Sequence, residues 1–224
     1  QYPDLIKGVR GTSNEDHTPE YLAKGILRSL HDLYVNKDGT IRYDMTELPI
    51  THFKPNEIGI DVETVKKLGY TKDTKGELIT DPNQVIEIKP QDIILPSCPE
   101  SVEEGADIVF YRVAQFVDEL LVKLYGLKPY YNLKTKKDLV GHLVVALAPH
   151  TSAGIICRII GFSQTQGMYA HPMMHCAVRR DCLAYGNYVS IKKDGAWQIE
   201  KIGDVIEKLK PNEKVDSFGT LKKD

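Results

Sequence analysis

The side chains of this chain that could do chemistry concentrate between residues 142 and 182. Arg179 and Arg180 are adjacent, and Asp181 and Cys182 follow them directly. The planar guanidinium group binds phosphate through two parallel hydrogen bonds, so a pair of arginines is one way to hold an anionic substrate. Two adjacent arginines are also common on a solvated surface, and their spacing alone does not distinguish phosphate binding from a solvated pair. The density of cationic or titratable side chains before the pair favours an anionic substrate; these are His142, His150, Arg158, His171 and His175.

Two of these histidines have the spacing of metal ligands. His171 and His175 are four residues apart, which would place both imidazoles on one face of a helix. Pro172 argues against a settled helix, and no Glu occupies the position of a zinc-protease general base. We therefore favour packing or backbone binding for both histidines, and we predict no metal site formed by this chain.

An irregular segment upstream, residues 46–60, supplies further candidates. His52 and Lys54 stand close together there, and both could line a cleft that contributes to the same site. Single histidines and lysines on loops are more often solvated, so that alternative stays open. The sequence has neither a phosphate-binding P-loop nor the Gly-x-Gly-x-x-Gly turn of dinucleotide-binding folds.

Composition is that of an ordinary globular protein. The chain has 224 residues, of which 42% are hydrophobic and 27% charged. Its net charge of −2 excludes a globally basic nucleic-acid binder but permits a local basic patch. No apolar run approaches the roughly 20 residues that span a bilayer, so we expect no membrane contact. The first residues resemble neither a signal peptide nor a natural start, and we expect an internal piece of a longer polypeptide.

The cysteines are widely spaced and form no Cys-x-x-Cys pair. This argues against a zinc ribbon and a disulfide framework, and it favours a reducing cytoplasm. Cys157 lies in an apolar run and is predicted to be a small buried hydrophobe. Only Cys182 has a local context that invites a chemical role.

The elements that must position these side chains are predicted to be a mixture of helices and strands. This mixture favours an α+β fold. The first helix is predicted from Tyr21 to about Leu30, with Asp16 as its N-cap and Pro19 in its first turn. The other elements predicted before residue 130 are a hairpin over 33–43, a short helix over 62–68, strands over 85–88 and 92–95, and a long helix over 109–125 that ends at Gly126.

Nearer the cationic cluster, residues 138–148 are predicted to be a buried helix. A second helix, starting in small residues, is predicted over 151–160, and a loop over 161–170. The segment beyond Cys182 is too short to bury a core of its own, so we expect it to begin a second domain. Its predicted elements are a hairpin over 188–199, a short helix over 202–209 and the start of a strand at 215–220.

Several strings of the chain resemble the large subunit of archaeal family-D DNA polymerase, also called DNA polymerase II. The most specific are Ala148-Pro-His-Thr-Ser-Ala-Gly-Ile-Ile-Cys-Arg-Ile-Ile-Gly-Phe162 and Arg179-Arg-Asp-Cys182, and the resemblance covers nearly all of residues 1–181. The other strings are Tyr2-Pro-Asp-Leu-Ile-Lys-Gly-Val-Arg-Gly11, Lys24-Gly-Ile-Leu-Arg28, Lys37-Asp-Gly-Thr-Ile-Arg42, Leu48-Pro-Ile-Thr-His-Phe-Lys-Pro-Asn-Glu-Ile-Gly59, Gly141-His-Leu143 and Ala170-His-Pro172.

That resemblance implies a catalytic core of two double-psi β-barrels, of which residues 1–181 would be part. It implies template-directed nucleotidyl transfer from dNTPs to a DNA template-primer, with Mg²⁺ held by an Asp-Gly-Asp motif. It also implies two partners, a small subunit that carries the 3′–5′ exonuclease and a sliding clamp. In the family the motif follows the Arg-Arg-Asp/Asn-Cys run, whereas here Leu-Ala-Tyr-Gly stands in its place. We therefore expect the metal-binding aspartates to lie outside this chain and the isolated chain to be inactive.

The departure at Cys182 resembles the start of an intein, so residues 182–224 are expected to open a β-rich Hint splicing domain. In that chemistry the Sγ atom of Cys182 attacks the carbonyl carbon of Asp181 and forms a thioester. A complementary intein half, or a continued reading frame, is expected to supply the remaining splicing residues. Within residues 1–181 we expect the arginine pair near the catalytic centre; the supporting side chains are His52, Lys54, His150, Arg158, His171 and His175.

Other interpretations stay open at this point. One is a structural or DNA-clamping segment with no chemistry of its own, which Mg²⁺-dependent primer extension by this chain alone would overturn. Another is the N-terminal half of a split, trans-splicing intein whose polymerase part is its flank. For Cys182 the alternative is a buried thiol in a diverged polymerase. The downstream DNA sequence separates these interpretations.

Overall fold

The chain divides into two compact units, residues 1–180 and residues 181–224. The boundary lies next to the junction that the sequence predicts between Asp181 and Cys182, where the polymerase-like segment meets the intein-like segment. The computed structural model describes residues 8–10, 17–19, 21–36, 40–97, 99, 103–148, 154–178, 185–193 and 196–208.

Within its described residues, the first unit mixes short strands with four helices, in line with the predicted α+β class. Two 3-10 turns, Pro55–Ile58 and Lys136–Leu139, complete it. Its strands and helices in chain order are β1 Gly8–Arg10, β2 His17–Pro19, α1 Leu22–Leu30, β3 Glu47–Pro49, β4 His52–Phe53, α2 Val62–Lys67, β5 Ile86–Glu87, β6 Asp92–Pro96, α3 Ala106–Tyr125, β7 Leu143–Ala146, β8 Ile155–Ser163, β9 Met168–Ala170 and α4 Pro172–Ala177.

A five-stranded mixed sheet organises this unit, with the strand order β3-β9-β6-β8-β7. β6 is parallel to β8 and antiparallel to β9, while β3 is parallel to β9 and β7 antiparallel to β8. β6 lies at the centre and is buried along its whole length. A central strand has neighbours on both edges and both faces, which explains why this strand is an almost uninterrupted apolar run.

The two faces of the sheet pack against separate hydrophobic cores. Side chains alternate along a strand, so Ile94 of β6 enters one core while Ile93 and Leu95 enter the other. The first core is completed by α2 and by the β4–β5 segment, and the second by the start of α3 and by α4. A third cluster joins α1 to α3 through Leu27 and Phe116.

The long helix α3 and the short helix α2 are confirmed. α3 begins three residues earlier than predicted and ends at Gly126, whose φ of 65° is the left-handed conformation that favours glycine at a helix end. α2 begins after Asp61, whose side chain accepts a hydrogen bond from the Thr64 backbone N–H at 2.8 Å. Strands β5 and β6 also lie where the sequence predicts them.

The prediction of a buried helix over residues 138–148 is wrong. A 3-10 turn ends at Leu139, and the strand β7 follows from Leu143 to Ala146. Along β7 exposed side chains alternate with half-buried ones. This period of two, in a run that contains two valines, is the pattern of a half-buried strand.

The helix predicted over residues 151–160 is also wrong. Residues 154–163 are described, and β8 occupies 155–163, while 151–153 lie outside the described residues. A short run rich in β-branched residues fits a strand buried between neighbours, and periodicity alone does not separate it from a buried helix. The loop predicted over 161–170 is interrupted for the same reason, because β8 continues to Ser163 and β9 begins at Met168.

The start of α1 and the first hairpin differ from the prediction as well. α1 begins at Leu22, because the residues predicted as its cap and first turn precede it and 17–19 form β2 instead. The Asn36 N–H donates to the Thr40 carbonyl at 2.9 Å, which closes a turn, but neither flank forms a strand. Leu33 packs into the α1–α3 cluster, so its segment is held by the helix rather than by a partner strand.

The second unit contains the predicted hairpin and helix. β10 Tyr188–Lys193 pairs antiparallel with β11 Ala196–Lys201, and α5 Ile202–Lys208 follows directly. The turn residues 194–195 and the strand predicted at 215–220 lie outside the described residues. Across the described parts of both units, no helix has the length and apolar character needed to cross a bilayer.

Candidate functional site

Half of the predicted site lies outside the described residues, so it remains a prediction. This half comprises the arginine pair, both residues of the junction and one upstream histidine. They are His150, Arg179, Arg180, Asp181 and Cys182. The structure gives the surroundings of the other half, which are His52, Lys54, Arg158, His171 and His175.

One end of the five-stranded sheet brings two of these residues together. β9 ends at Ala170, which pairs with Ile93, and the preceding residue Asp92 pairs with Arg158 on the next strand. The chain leaves β9 through His171. Arg158 and His171 therefore belong to the same end of the sheet.

Arg158 is held at this end by a buried carboxylate. Its Nε and Nη2 atoms donate to the two carboxylate oxygens of Asp92 at 2.8 and 2.7 Å, and the Tyr70 hydroxyl donates to the same group. Asp92 is 0% exposed. Its hydrogen bonds raise the pKa of Arg158, while burial and then the bond to Asp92 raise the pKa of Tyr70. The guanidinium is thus bound to Asp92, and its part in phosphate binding stays a prediction.

His171 caps the helix that leads away from the sheet. Its Nδ1 atom accepts a hydrogen bond from the Met173 backbone N–H at 3.1 Å. The expectation that Pro172 prevents a helix here is wrong, because Pro172 occupies the first helical position, where its missing N–H leaves nothing unpaired. His171 therefore binds backbone, which is the role favoured over zinc on sequence grounds.

His175 ties the same helix to the edge strand β3. Its side chain is 2% exposed, and its Nδ1 atom lies 2.9 Å from a carboxylate oxygen of Glu47. Its Nε2 atom is buried and has no hydrogen-bond partner in the described structure. The imidazole is consequently a packing group, with one polar contact that fixes α4 against β3.

The chain is anchored up to the residue before the arginine pair. Met174 and Val178 are 2% and 1% exposed and belong to the core that covers one face of the sheet. α4 ends at Ala177, and Arg179 follows Val178 directly. The last described residue before the arginine pair is therefore a buried core residue of the first unit.

His52 and Lys54 have local partners only. His52 lies in β4, and Lys54 precedes the first 3-10 turn, so the segment predicted as irregular carries short elements. The His52 ring Nδ1 is 2.9 Å from the Thr51 hydroxyl, and Lys54 Nζ is 3.3 Å from Glu57. A shallow cavity of about 420 Å³ lies nearby, and neither predicted residue lines it. β3 ends at Pro49, which pairs with Ala170, so His52 follows that same end of the sheet by three positions, while the side-chain partners of the pair are Thr51 and Glu57.

Sequence reasoning missed the acidic and phenolic partners that fix the site. The sequence contained one indication that Asp92 is paired: a lone carboxylate at the start of an apolar strand needs a partner when the strand is buried. Glu47 had none, since it stands 128 positions before His175. Tyr70 likewise has no local motif.

The described residues do not fit a magnesium site. Among them, no group of three or more His, Cys, Asp or Glu side chains is arranged to hold a metal ion. The sequence also contains no Asp-Gly-Asp run. No chemical step assigned to this chain therefore passes through a metal.

In the second unit, Tyr185 clasps the start of α5. Its hydroxyl donates to Asp204 at 3.0 Å, and its carbonyl accepts from the Gly203 N–H at 3.1 Å. A Cβ atom at Gly203 would lie 2.2 Å from the Tyr185 ring, so only glycine leaves room for this contact. The hydrogen bond to Asp204 is the main reason why the pKa of Tyr185 rises to about 12. Tyr185 stands three positions after Cys182 in the sequence.

Comparison with known proteins identifies the family. Residues 1–199 match the family described as DNA polymerase II large subunit DP2, catalytic domain. The DNA polymerase II large subunit of Archaeoglobus fulgidus is 54% identical over 179 residues, which are 80% of this chain and 15% of the relative. Those of Nanoarchaeum equitans and Pyrococcus abyssi are 50% and 48% identical over 190 and 204 residues, covering 80% and 91% of this chain and 15% and 14% of the relatives. The chain belongs to the DNA polymerase II large subunit family and spans about 15% of the length of these curated relatives.

The matches differ in how far they reach. A match of 204 residues in a chain of 224 leaves at most about 20 residues unmatched, so the Pyrococcus match includes part of the segment after Cys182. This longer match is nevertheless a smaller share of its relative, so the Pyrococcus subunit is a longer chain than the Archaeoglobus subunit. The family match also runs past Cys182, to residue 199.

Proposed function

We propose that residues 1–181 are part of the catalytic large subunit of a template-directed DNA polymerase. The observation that carries this proposal is the match to the catalytic domain together with about 50% identity to named large subunits. The reaction would join the primer 3′-hydroxyl to the α-phosphate of a dNTP and release pyrophosphate. Mg²⁺, bound by aspartates outside this chain, would supply the charge neutralisation. The small exonuclease subunit and the sliding clamp are the partners proposed with it, and the double-psi β-barrel core is the proposed fold.

The contribution of this chain would be to hold the arginine pair beside the catalytic centre. Three features of α4 support this role: the His171 cap, the His175–Glu47 contact and the buried Val178. Together they hold the residue that precedes Arg179 in the core, and a guanidinium that is preorganised loses less entropy when it binds phosphate.

Replacing both arginines should weaken primer extension by the complete, spliced subunit. A hydrogen bond to a charged group contributes about 1.5–3 kcal/mol, so Arg179→Ala/Arg180→Ala should lower extension at limiting DNA by roughly ten-fold or more. Two lost phosphate contacts should also reduce the salt slope of duplex binding by about 1.8. Lys66→Ala/Lys67→Ala, an adjacent pair of exposed cations on α2, is the matched control. Unchanged extension and an unchanged salt slope in the arginine variant would remove the pair from the site.

We infer further that residues 182–224 open an intein inserted after Asp181. Two observations support this: the two units divide beside this bond, and relatives differ in length and in how far they match. A cysteine stands at position 182, as the acyl shift requires. In the first step the Sγ atom of Cys182 attacks the carbonyl carbon of Asp181. The peptide C–N bond breaks, a thioester forms and the α-amine of Cys182 is released. A continuous downstream reading frame predicts splicing in cis, and a stop with a second locus predicts splicing in trans.

The Tyr185 clasp should control the rate of this step. We expect Gly203→Ala to slow thiol-induced cleavage after Asp181 by about ten-fold or more, because the added methyl displaces the Tyr185 ring, which stands three positions after the Cys182 nucleophile in the sequence. Tyr185→Phe keeps the ring contact and loses one hydrogen bond, so its effect should be smaller. Cleavage of the full-length precursor by dithiothreitol, followed by gel electrophoresis, gives these rates. Tyr188→Phe, on another exposed tyrosine in β10, is the control, and a Gly203→Ala rate equal to the control rate would exclude the clasp.

A further inference from the structure

The loop after α3 combines positive charge with exposed aromatic rings. Residues 127–137, here called the tyrosine loop, contain four lysines, two adjacent tyrosines and no carboxylate. The chain as a whole has a net charge of −2, so this loop is a local basic patch on an otherwise slightly acidic protein.

Asp118 of α3 fixes the shape of the loop. Its carboxylate accepts hydrogen bonds from the backbone N–H groups of Tyr130, Tyr131 and Asn132 at 2.7, 2.8 and 2.7 Å. At the other end of the loop the Tyr111 hydroxyl donates to the Lys134 carbonyl at 3.1 Å. Asp138, directly after the loop, accepts from the Lys134 and Thr135 N–H groups at 2.9 and 2.8 Å. The loop is therefore ordered before any partner arrives, and both of these carboxylates are engaged with its backbone.

The ring of Tyr130 is presented on a support. Tyr130 is 74% exposed, and its ring meets the Tyr131 ring edge-on with 4.9 Å between centroids. Tyr131 in turn contacts His142 at 5.4 Å. The exposed Tyr130 ring is thus braced by successive edge-on ring contacts, and most of its surface is open to solvent.

Three lysines of the loop are available for anions. Lys136 is engaged with the buried carboxylate of Asp107 at 2.8 Å, which holds the end of the loop against α3. The side chains of Lys128, Lys134 and Lys137 are exposed and have no ion-pair partner in the described structure.

We propose that the tyrosine loop binds single-stranded DNA, with a base stacked on Tyr130 and phosphates held by Lys128, Lys134 and Lys137. An exposed aromatic ring beside free cations, with no free carboxylate in the loop, matches the way proteins hold single strands without reading sequence. A duplex offers phosphates to the lysines but no unstacked base to the ring. The proposal rests on the polymerase function proposed above, since it supplies the strand.

Binding of fluorescent oligo(dT) and of a blunt duplex to the full-length spliced subunit tests this directly. Tyr130→Ala should weaken oligo(dT) binding by roughly five- to 150-fold and duplex binding much less, while Tyr130→Phe should retain both. The triple change Lys128→Gln, Lys134→Gln and Lys137→Gln should lower the salt slope on oligo(dT) by about 2. The controls are Tyr21→Ala, on a ring that is 71% exposed, and the triple change Lys66→Gln, Lys72→Gln and Lys75→Gln.

Each other outcome overturns the inference in a recognisable way. Normal oligo(dT) binding by Tyr130→Ala removes the stacking role while primer extension stays intact, so the polymerase proposal would survive. Equal losses on oligo(dT) and duplex would reduce the loop to a general phosphate contact. Loss of a co-purifying subunit with unchanged DNA binding would assign the loop to a protein partner. A wild-type subunit that neither binds DNA nor extends primers would overturn the polymerase proposal itself.

Discussion

A full-length precursor carrying Cys182→Ala should show no thiol-induced cleavage after Asp181. Alanine has no nucleophile on its side chain, so the acyl shift cannot begin and no thioester forms for an added thiol to attack. The expected effect is complete loss rather than a slower rate. Incubation with dithiothreitol, followed by intact-mass measurement of the N-terminal product, checks it.

The other cysteines provide the controls for this experiment. Cys157 is 0% exposed, and burial raises its pKa to about 11, so its thiol is un-ionised and unreactive near neutral pH. Its sequence-predicted role as a buried hydrophobe is confirmed. Cys176 is exposed and stands six residues before Cys182. Cys176→Ala should therefore cleave like the unaltered precursor, and cleavage that persists in Cys182→Ala would make the intein assignment wrong.

Replacing Arg158 should have the largest effect on stability. Arg158→Ala would leave the carboxylate of Asp92 buried with the Tyr70 hydroxyl as its remaining side-chain partner. Removing one member of a buried ion pair costs about 3–5 kcal/mol, because the other charge stays desolvated without compensation. Urea unfolding of the chain, followed by far-ultraviolet circular dichroism, measures this loss of the free energy of unfolding.

Two further variants separate this effect from a general loss of charge. Lys54→Ala removes one member of the exposed pair with Glu57, and it should cost less than about 1 kcal/mol. Asp92→Leu/Arg158→Leu removes both buried charges and should recover much of the stability lost in Arg158→Ala. If Arg158→Ala costs no more than Lys54→Ala, the pair does not stabilise the end of the sheet.

Local sequence pattern predicted the elements whose signal is contained in one segment. α3 sustains its apolar stripe over 20 residues and ends at a glycine, and the β10–β11 hairpin surrounds an Asp-Gly pair. The segments of β7 and β8 were assigned to helices because an apolar run of four to nine residues is too short for its hydrophobic periodicity to distinguish a strand from a helix. Their strand state is set by the pairing of β7 with β8 and of β8 with β6, which lies some 60 positions before β8 along the chain.

The candidate site was predictable in its residue types and not in its contacts. The arginine and histidine density before Cys182, and the family resemblance, led to the right family. The contacts of Arg158 and His175 join residues 66 and 128 positions apart, and a single sequence carries no signal over such distances. His171 is an exception, because its contact is local. A polar residue before a proline is typical of a helix start, and we interpreted Pro172 instead as a helix break.

The central claim is that the bond between Asp181 and Cys182 joins a polymerase segment to an element that must leave. Peptide mass spectrometry of the mature large subunit after trypsin digestion tests this most directly. Cleavage after Arg180 produces a peptide that starts at Asp181. We expect this residue to be joined to downstream polymerase sequence, and we expect the 181–192 peptide to be absent from the mature subunit. A mature, active subunit that still yields the intact 181–192 peptide would contradict it.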